Sequence, residues 1–140
     1  MHADEHKLNS LTKVVIGASF EVANTLGRGF VEKVYANALG LELSSRGINV
    51  KREFQVKVFY KGKVAGDFVI DLWIENSLLV ETKATSDLNN LHMAQSLNYL
   101  KASNLPLALL INFGSASVQA KRIVNSLNRR RICGNLSNLC

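Results

Sequence analysis

The stretch from Gly66 to Ala84 constrains the fold more than any other part of this sequence, because it predicts two apolar strands joined by a tight polar corner. The corner is Glu75-Asn76-Ser77. Charged residues interrupt both strands, with Asp71 in the first and Glu81 and Lys83 in the second. Charged side chains are seldom buried without a partner, so the hairpin predicts a site as well as a fold.

The length of the corner decides whether the two carboxylates share one face of the sheet. Because side chains alternate across a strand, Glu81 and Lys83 lie on the same face. A three-residue corner pairs Ile74 with Leu78 and sets Asp71 opposite Glu81, and directly opposed residues share a face. A two-residue corner would shift the register by one residue and separate the carboxylates. A single site therefore requires the longer corner.

The same register sets Val69 opposite Lys83 and leaves the hairpin one face without charges. That face is apolar throughout, so we expect it to pack under helices. Its residues are Phe68, Ile70, Leu72, Ile74, Leu78 and Val80.

Two facing carboxylates on a buried sheet need a positive partner, because they repel one another and burial adds a desolvation cost. Lys83 can neutralise one of them. A Mg²⁺ or Mn²⁺ ion would satisfy both, since Mg²⁺ is usually held by one or two carboxylates together with waters and a substrate phosphate. The spacing alone leaves a second interpretation open, in which a buried acid–lysine pair only holds the strand register.

Composition narrows the class of protein. A chain of 140 residues with 47% hydrophobic residues predicts one globular domain. The formal net charge of +6 favours an acidic partner such as nucleic acid. The two cysteines, Cys133 and Cys140, match neither a disulfide framework nor a zinc site. Without a signal peptide or a membrane-spanning segment in the sequence, we expect a cytoplasmic protein with no membrane partner.

The rest of the chain predicts further helices and strands around the hairpin. In order, they are a helix from Asn9 or Ser10 to about 26, a helix over about 29–46, a strand over 54–60, the two hairpin strands, a helix from Ser86 or Asp87 to about 103, a strand over 107–113 and a helix over about 117–127. These elements define one domain at residues 8–127. It lies between a flexible N-terminal segment (1–7) and a basic, polar C-terminal tail (128–140).

This order of elements predicts an α/β fold. A helix separates the third and fourth strands, and such a crossover allows the fourth strand to lie parallel to a strand of the meander. We therefore expect a mixed four-stranded sheet flanked by helices, in three α/β/α layers with the order α-α-β-β-β-α-β-α.

Two predicted helices carry polar residues at helical spacing. Glu32 and Tyr35 lie one turn apart on the second helix. His92, Gln95 and Tyr99 form a polar stripe on the helix that follows the hairpin. By spacing alone, Glu32 is also compatible with an ordinary solvated side chain.

These patterns together resemble a known superfamily. The element order, the acidic residue in the second strand and the E-x-K sequence in the third are similar to the core of the PD-(D/E)XK nucleases, although Ile70 stands where the superfamily's name has proline. The sequence from Gly29 through Glu32 to Tyr35 resembles the signature of the GxxExxY family, a small bacterial and archaeal group assigned to that superfamily. Further motifs match in the same order over about residues 8–125, namely Asp71-Leu72, Val80 to Ala84, His92 to Lys101, Leu110 to Gly114 and Lys121 to Ile123.

The resemblance implies a restriction-endonuclease-like core and a role for each polar residue. Lys83 would orient the attacking water or help to deprotonate it, and Gln95 would hold Lys83 or the substrate. The implied ligands of Mg²⁺ or Mn²⁺ are Asp71, Glu81, the Thr82 carbonyl and, directly or through water, Glu32.

The implied activity is metal-dependent hydrolysis of phosphodiester bonds in nucleic acid, with DNA favoured. The expected nucleic-acid contacts are Tyr35, Tyr99, Lys101, Lys121 and Arg122. An alternative is a catalytically silent module that keeps the nuclease fold and binds nucleic acid or a protein. The presence of Asp71, Glu81 and Lys83 together argues against that alternative, while the sequence leaves a protein partner and a homo-oligomer open.

Overall fold

The structure is a computed structural model that describes residues 2–125 of the chain, with side chains from residue 5 onward. These residues form three helices and five strands. In chain order they are α1 (His2–Leu26), α2 (Glu32–Ser45), β1 (Val50–Tyr60), β2 (Lys63–Ile74), β3 (Leu78–Lys83), α3 (Asn90–Ser103), β4 (Leu107–Asn112) and β5 (Gln119–Val124). No helix in this part of the chain has the length and apolar character needed to cross a membrane.

The strands form one mixed sheet in the order β1-β2-β3-β4-β5. The first three form an antiparallel meander, and the crossover helix α3 returns the chain so that β4 pairs parallel to β3. β5 then pairs antiparallel with β4 along its whole length. Because β4 is flanked by strands on both sides, its buried backbone groups find hydrogen-bond partners on both edges.

Helices cover both faces of the sheet, which confirms the predicted three-layer α/β/α architecture. On one face, α1 and α2 bury side chains such as Val15 and Leu39 against Leu109 of the sheet. On the other face, α3 packs Leu100 near Leu79. We refer to these surfaces as the α1/α2 face and the α3 face.

The sheet has five strands rather than the predicted four, because Gln119–Val124 is a strand and not part of a helix over 117–127. The short sequence QAKRIV fits either pattern locally. Pairing with β4 decides the outcome, since a strand buried along its length, as β4 is, leaves no solvent to hydrogen-bond an open edge. Residues 126–127 and the predicted tail 128–140 lie outside the described part of the chain.

The first helix begins at His2 rather than at Asn9 or Ser10. Residues 2–7, predicted to be a flexible segment, are therefore helical in the structure. They include Ala, Glu and Lys, which favour helix, and contain no glycine or proline that would stop one.

The third helix begins at Asn90, later than the predicted start at Ser86 or Asp87. Asn89 Oδ1 accepts a hydrogen bond from the His92 backbone N–H at 3.0 Å, and His92 Nδ1 accepts one from the Asn89 N–H at 3.2 Å. This reciprocal cap satisfies two backbone donors that the first turn would otherwise leave unpaired. His92 therefore caps α3 rather than extending a polar stripe with Gln95 and Tyr99.

The predicted three-residue corner between β2 and β3 is confirmed by the pairing of Ile74 with Leu78. Glu75 and Asn76 adopt left-handed φ values of 52° and 53°, and the Ser77 N–H donates to the Ile74 carbonyl at 3.0 Å. Asparagine tolerates this conformation better than most residues, which suits it to the corner. The pairing ends at Leu72↔Val80, one rung before Asp71 and Glu81.

Strand alternation fails at two places in the β1–β2 ladder, at the rung of Glu53 and at a register shift between Val58 and Phe59. Arg52 pairs with Leu72 and Phe54 with Ile70, and the intervening Glu53 has a left-handed φ of 52°. Leu72 packs on the α1/α2 face, whereas Ile70 packs on the α3 face. The expectation of one continuous apolar face is therefore wrong, because Phe68 and Ile70 lie on the opposite side from the others, namely Leu72, Ile74, Leu78 and Val80.

A buried amide ties the loop after β3 to the end of β4. The Asn112 side chain accepts a hydrogen bond from the Thr85 N–H at 3.0 Å and donates to the Thr85 carbonyl at 2.9 Å. At this point Gly114 lies so close that an added Cβ would come within 2.4 Å of the backbone N and O of Thr85. The backbone that follows Lys83 is therefore fixed by close contact.

Gly114→Ala is expected to destabilise the fold by about 1–3 kcal/mol, because neither backbone segment has a flexible side chain that can move aside. Gly66→Ala is the matched control, since a Cβ at Gly66 meets nothing within 4 Å. Urea denaturation measures both free energies of unfolding. Equal stability of the two variants would contradict the close contact.

Candidate active site

The two carboxylates of the hairpin take the place of backbone hydrogen bonds where β2 and β3 stop pairing. The Asp71 N–H donates to Glu81 Oε1 at 3.0 Å. In return, Asp71 Oδ2 accepts from the Thr82 N–H at 2.8 Å and from Thr82 Oγ1 at 2.9 Å. Each strand thus fixes the acidic side chain of the other, and both carboxylates lie in the gap between the strands.

Glu81 is 6% exposed, and its environment favours the protonated form. Burial is the largest cause and raises the pKa of Glu81 from 4.5 to about 8, with the charge of Asp71 acting in the same direction. The hydrogen bond from the Asp71 backbone and the charge of Lys83 oppose the shift, and the charge of Glu32 adds to it. A positive ion in the gap would reverse this balance.

Lys83, Gln95 and Tyr99 meet on the α3 side of the gap. Lys83 Nζ donates to Gln95 Oε1 at 3.3 Å. The pKa of Tyr99 is raised, first by burial and then by the charges of Glu81 and Asp71, while a hydrogen bond with Gln95 lowers it. The Tyr99 ring stacks on Phe68 with the centroids 4.1 Å apart. The half-buried Tyr99 is therefore close to the carboxylates, on the same helix as the glutamine.

Glu32 begins α2 beside the gap. Its backbone carbonyl accepts a hydrogen bond from Thr82 Oγ1 at 3.4 Å, and its side chain is exposed. Glu32 and Asp71 line the same open cavity of about 580 Å³, between α2 and the sheet. The remaining lining residues are Lys33, Ala36, Asn37, Glu53, Gln55 and Val69.

The donor set in the gap fits a hard divalent cation. The hydrogen bonds described above use Asp71 Oδ2 and Glu81 Oε1, and the second oxygen of each carboxylate takes part in none of them. The Thr82 N–H points toward Asp71, and the Lys83 carbonyl accepts from the N–H of Phe113, the residue after β4. Alternation along β3 therefore directs the Thr82 carbonyl toward the gap.

Within residues 2–125, no group of three or more His, Cys, Asp or Glu side chains is close enough to hold a metal ion. The gap therefore offers two carboxylates and a carbonyl rather than a complete protein cage. Such a partial set suits Mg²⁺ or Mn²⁺, which keep waters and take substrate oxygens as further ligands.

The structure corrects the prediction that Tyr35 contacts nucleic acid, because this side chain is fully buried. Its hydroxyl donates to the Gly27 carbonyl at 2.6 Å and accepts from the Phe30 N–H at 3.3 Å. Its ring stacks on Phe113 with a centroid distance of 4.7 Å. Tyr35 therefore closes the turn that leads into α2 and cannot touch a ligand in this conformation.

The other predicted contacts do not form one surface. Lys101 is exposed in the last turn of α3. Lys121 and Arg122 are adjacent on β5 and so point to opposite faces, and Arg122 donates to Asn9 of α1 at 3.0 Å. β5 is also three strands away from β2. Only Tyr99 of the predicted contacts lies near the carboxylates.

Sequence reasoning missed an ion pair in the lining of the cavity. Lys33 Nζ lies 2.6 Å from Glu53 Oε1, and both residues line the cavity. No local pattern could have found this pair, because it depends on the irregular rung at Glu53. Of the two residues, only Lys33 could have been suspected from the sequence, because it directly follows the candidate ligand Glu32.

The burial of Glu81 makes a prediction for the metal-free protein. Since its pKa is about 8 in the folded state against 4.5 ordinarily, the folded chain holds a proton that the unfolded chain releases between these pH values. The free energy of unfolding should therefore fall as pH rises through this window, by up to about 1.4 kcal/mol per pH unit, and level off above it. Urea denaturation at stepped pH measures the slope.

Glu81→Gln removes the titrating group and keeps an oxygen that can accept from the Asp71 N–H, so its stability should depend less on pH. Glu21→Gln, at an exposed position of α1, is the matched control and should keep the wild-type slope. Identical slopes in the wild type and in Glu81→Gln would show that Glu81 does not hold this proton.

Comparison with known structures agrees with the architecture. The fold is similar to the crystal structure of SSO0001, with a TM-score of 0.53 at 18% sequence identity over 71% of this chain. This chain spans 56% of the length of that one. At this level of identity the likeness concerns the fold alone. No curated protein matches the chain.

Comparison with family models identifies the group. The PD-(D/E)XK nuclease superfamily matches residues 9–123. This range contains the whole gap between β2 and β3 together with Glu32 of α2 and Tyr99 of α3. The chain therefore belongs to the PD-(D/E)XK nuclease superfamily.

Proposed function

We propose that this protein is a metal-dependent nuclease that hydrolyses phosphodiester bonds in nucleic acid, preferentially DNA, at a centre formed by Asp71, Glu81 and Lys83. The observation that supports it most is the cross-bonding of the two carboxylates in the gap, with Lys83 on the same strand as Glu81. Two carboxylates held together in a buried place destabilise each other unless a cation joins them. Membership of the nuclease superfamily points to the same chemistry.

The residues of the chain divide the work of hydrolysis between them. Asp71, Glu81, the Thr82 carbonyl and, directly or through water, Glu32 would hold Mg²⁺ or Mn²⁺. When bound, such an ion supplies positive charge to phosphate oxygens and acidifies water. Lys83 adds a second positive charge for the negative charge that grows on the phosphate in the transition state. Gln95 orients Lys83 through its 3.3 Å hydrogen bond.

We further propose that the chain is a GxxExxY protein, because each named position of that motif has a physical role. Gly29 has a φ of 112°, which side-chain-bearing residues rarely adopt. Glu32 follows at the cavity and Tyr35 closes the turn with its buried hydroxyl. The three residues together set the start of α2, and with it the distance of Glu32 from the gap.

Cleavage of DNA and RNA substrates in Mg²⁺ or Mn²⁺ tests the proposal. Glu81→Gln and Lys83→Met should each reduce the rate by about 10²-fold or more, since each removes a charge that acts in the transition state. Glu21→Gln and Lys13→Met, both at exposed positions of α1, control for the loss of a charge elsewhere and should cleave like the wild type. Undiminished cleavage by Glu81→Gln would assign the activity to another site or to a contaminant.

Calorimetry with Mn²⁺ separates an active centre from a silent module. The wild type should bind the ion and release up to one proton per site near pH 7, because Glu81 must ionise before it can be a ligand. Titrations in two buffers of different ionisation enthalpy count that proton. Glu81→Gln should bind more weakly without proton release, whereas Glu21→Gln should match the wild type. A wild type that takes up no Mn²⁺ would instead favour a module that keeps the fold without turnover.

A further inference from the structure

The β1–β2 hairpin extends well beyond the rest of the sheet. β1 and β2 pair from Val50↔Ile74 to Tyr60↔Lys63, but β3 pairs with β2 only as far as Leu72. We call residues 55–69, the part past this point, the arm. The inner part of its α3 side is covered, since Val56 is buried and Phe68 stacks on Tyr99, while Val58 and Tyr60 farther along that side are exposed. Its other side is not covered by any element that the structure describes.

The uncovered side of the arm holds a row of exposed apolar side chains. Cross-strand pairing places Phe59 beside Val64, Lys57 beside Asp67 and Gln55 beside Val69. Phe59 is 63% exposed, Val64 53% and Val69 48%. We call this row of paired residues the strip.

The strip is continuous with the cavity that Asp71 of the candidate centre lines. Gln55 and Val69 at its inner end also line the cavity that contains Asp71 and Glu32. Phe59 lies six residues along β1 from Glu53, which is about 20 Å at the usual rise of a strand. That distance corresponds to about six steps of a B-form strand at ~3.4 Å each. A polymer that enters the cavity could therefore run along the strip.

The charge on the arm selects the kind of polymer. Lys57, Lys61 and Lys63 carry three positive charges, and Asp67 is the one acidic residue between positions 55 and 69. A second copy of the chain would bring like charges together at such a surface. An anionic chain with flat, stackable groups instead matches both the lysines and the exposed Phe59.

We propose that the strip binds an unpaired segment of the nucleic-acid substrate and leads it to the centre between β2 and β3. This inference rests on the proposed nuclease function. Phe59 stacks on a base, and Lys57, two residues away on the same face of β1, contacts a neighbouring phosphate. A single strand fits better than a duplex, because only unpaired bases offer their faces to an aromatic ring.

The test measures the binding of a fluorescein-labelled oligothymidylate by fluorescence anisotropy. A length of roughly 12 nucleotides lies within the range of common single-strand site sizes. EDTA is present so that no cleavage occurs. Phe59→Ala should weaken binding by about tenfold. Lys57→Gln should also weaken it and should reduce the dependence of affinity on salt. Leu41→Ala, a 62% exposed position on α2, and Lys13→Gln are the matched controls and should bind like the wild type.

Three results would overturn the proposal. The first is wild-type affinity in Phe59→Ala, and the second is an equal loss for a fully paired duplex, which has no free base face. The third is a wild-type dimer in analytical ultracentrifugation that Phe59→Ala dissociates without a change in affinity, which would make the strip a contact between copies.

The centre is tested separately by hydrolysis of bis(p-nitrophenyl) phosphate by the wild type and Glu81→Gln in Mn²⁺. Binding in EDTA needs no catalysis, so the two proposals can fail independently. Hydrolysis by the wild type with unchanged binding in Phe59→Ala would reject the strip and keep the nuclease. Weakened binding in Phe59→Ala with no hydrolysis by the wild type would support the strip and reject the nuclease.

Discussion

The exchange of hydrogen bonds between Asp71 on β2 and Glu81 and Thr82 on β3 is the interaction on which the rest of the site depends. It lets two strands separate inside a sheet while their backbone N–H groups keep hydrogen-bond partners. Leaving these buried groups unpaired would cost stability. The carboxylates thereby serve two purposes, since they close the ladder and also present oxygens to the gap. The cost is the repulsion and burial that raise the pKa of Glu81.

The surrounding elements hold this gap from three sides. Thr82 links it to the first turn of α2 through the Glu32 carbonyl, and Gln95 of α3 reaches Lys83 from the opposite face. Asn112 fixes the backbone beyond Lys83 by bonding both polar groups of Thr85. Because these contacts come from elements far apart in sequence, the positions of the charged groups depend on the whole fold rather than on the hairpin alone.

The sequence predicted those features that local periodicity and turn chemistry determine. The corner at Glu75–Ser77, the register beyond it and the layered architecture follow from alternation, length and the position of polar residues. Gln119–Val124 was predicted as helix because a six-residue segment has no decisive period, and the need of β4 for a second partner is not visible locally. The predicted nucleic-acid contact of Tyr35 failed for a similar reason. Helical spacing does not tell whether a tyrosine hydroxyl faces solvent or, as here, donates to the Gly27 carbonyl. The roles of the site residues follow from the family resemblance rather than from any local pattern.

The irregular rung at Glu53 decides which side chains of the hairpin beyond it face α3 and which face solvent. If Glu53 took an ordinary extended conformation, strict alternation would turn Phe54, Val56 and the residues beyond them over as a set. Lys57 would then point into the hydrophobic layer under α3, and Val56 would point into water. The backbone conformation of Glu53 therefore determines whether the apolar side of the hairpin faces the protein or the solvent, with the sequence of the hairpin unchanged.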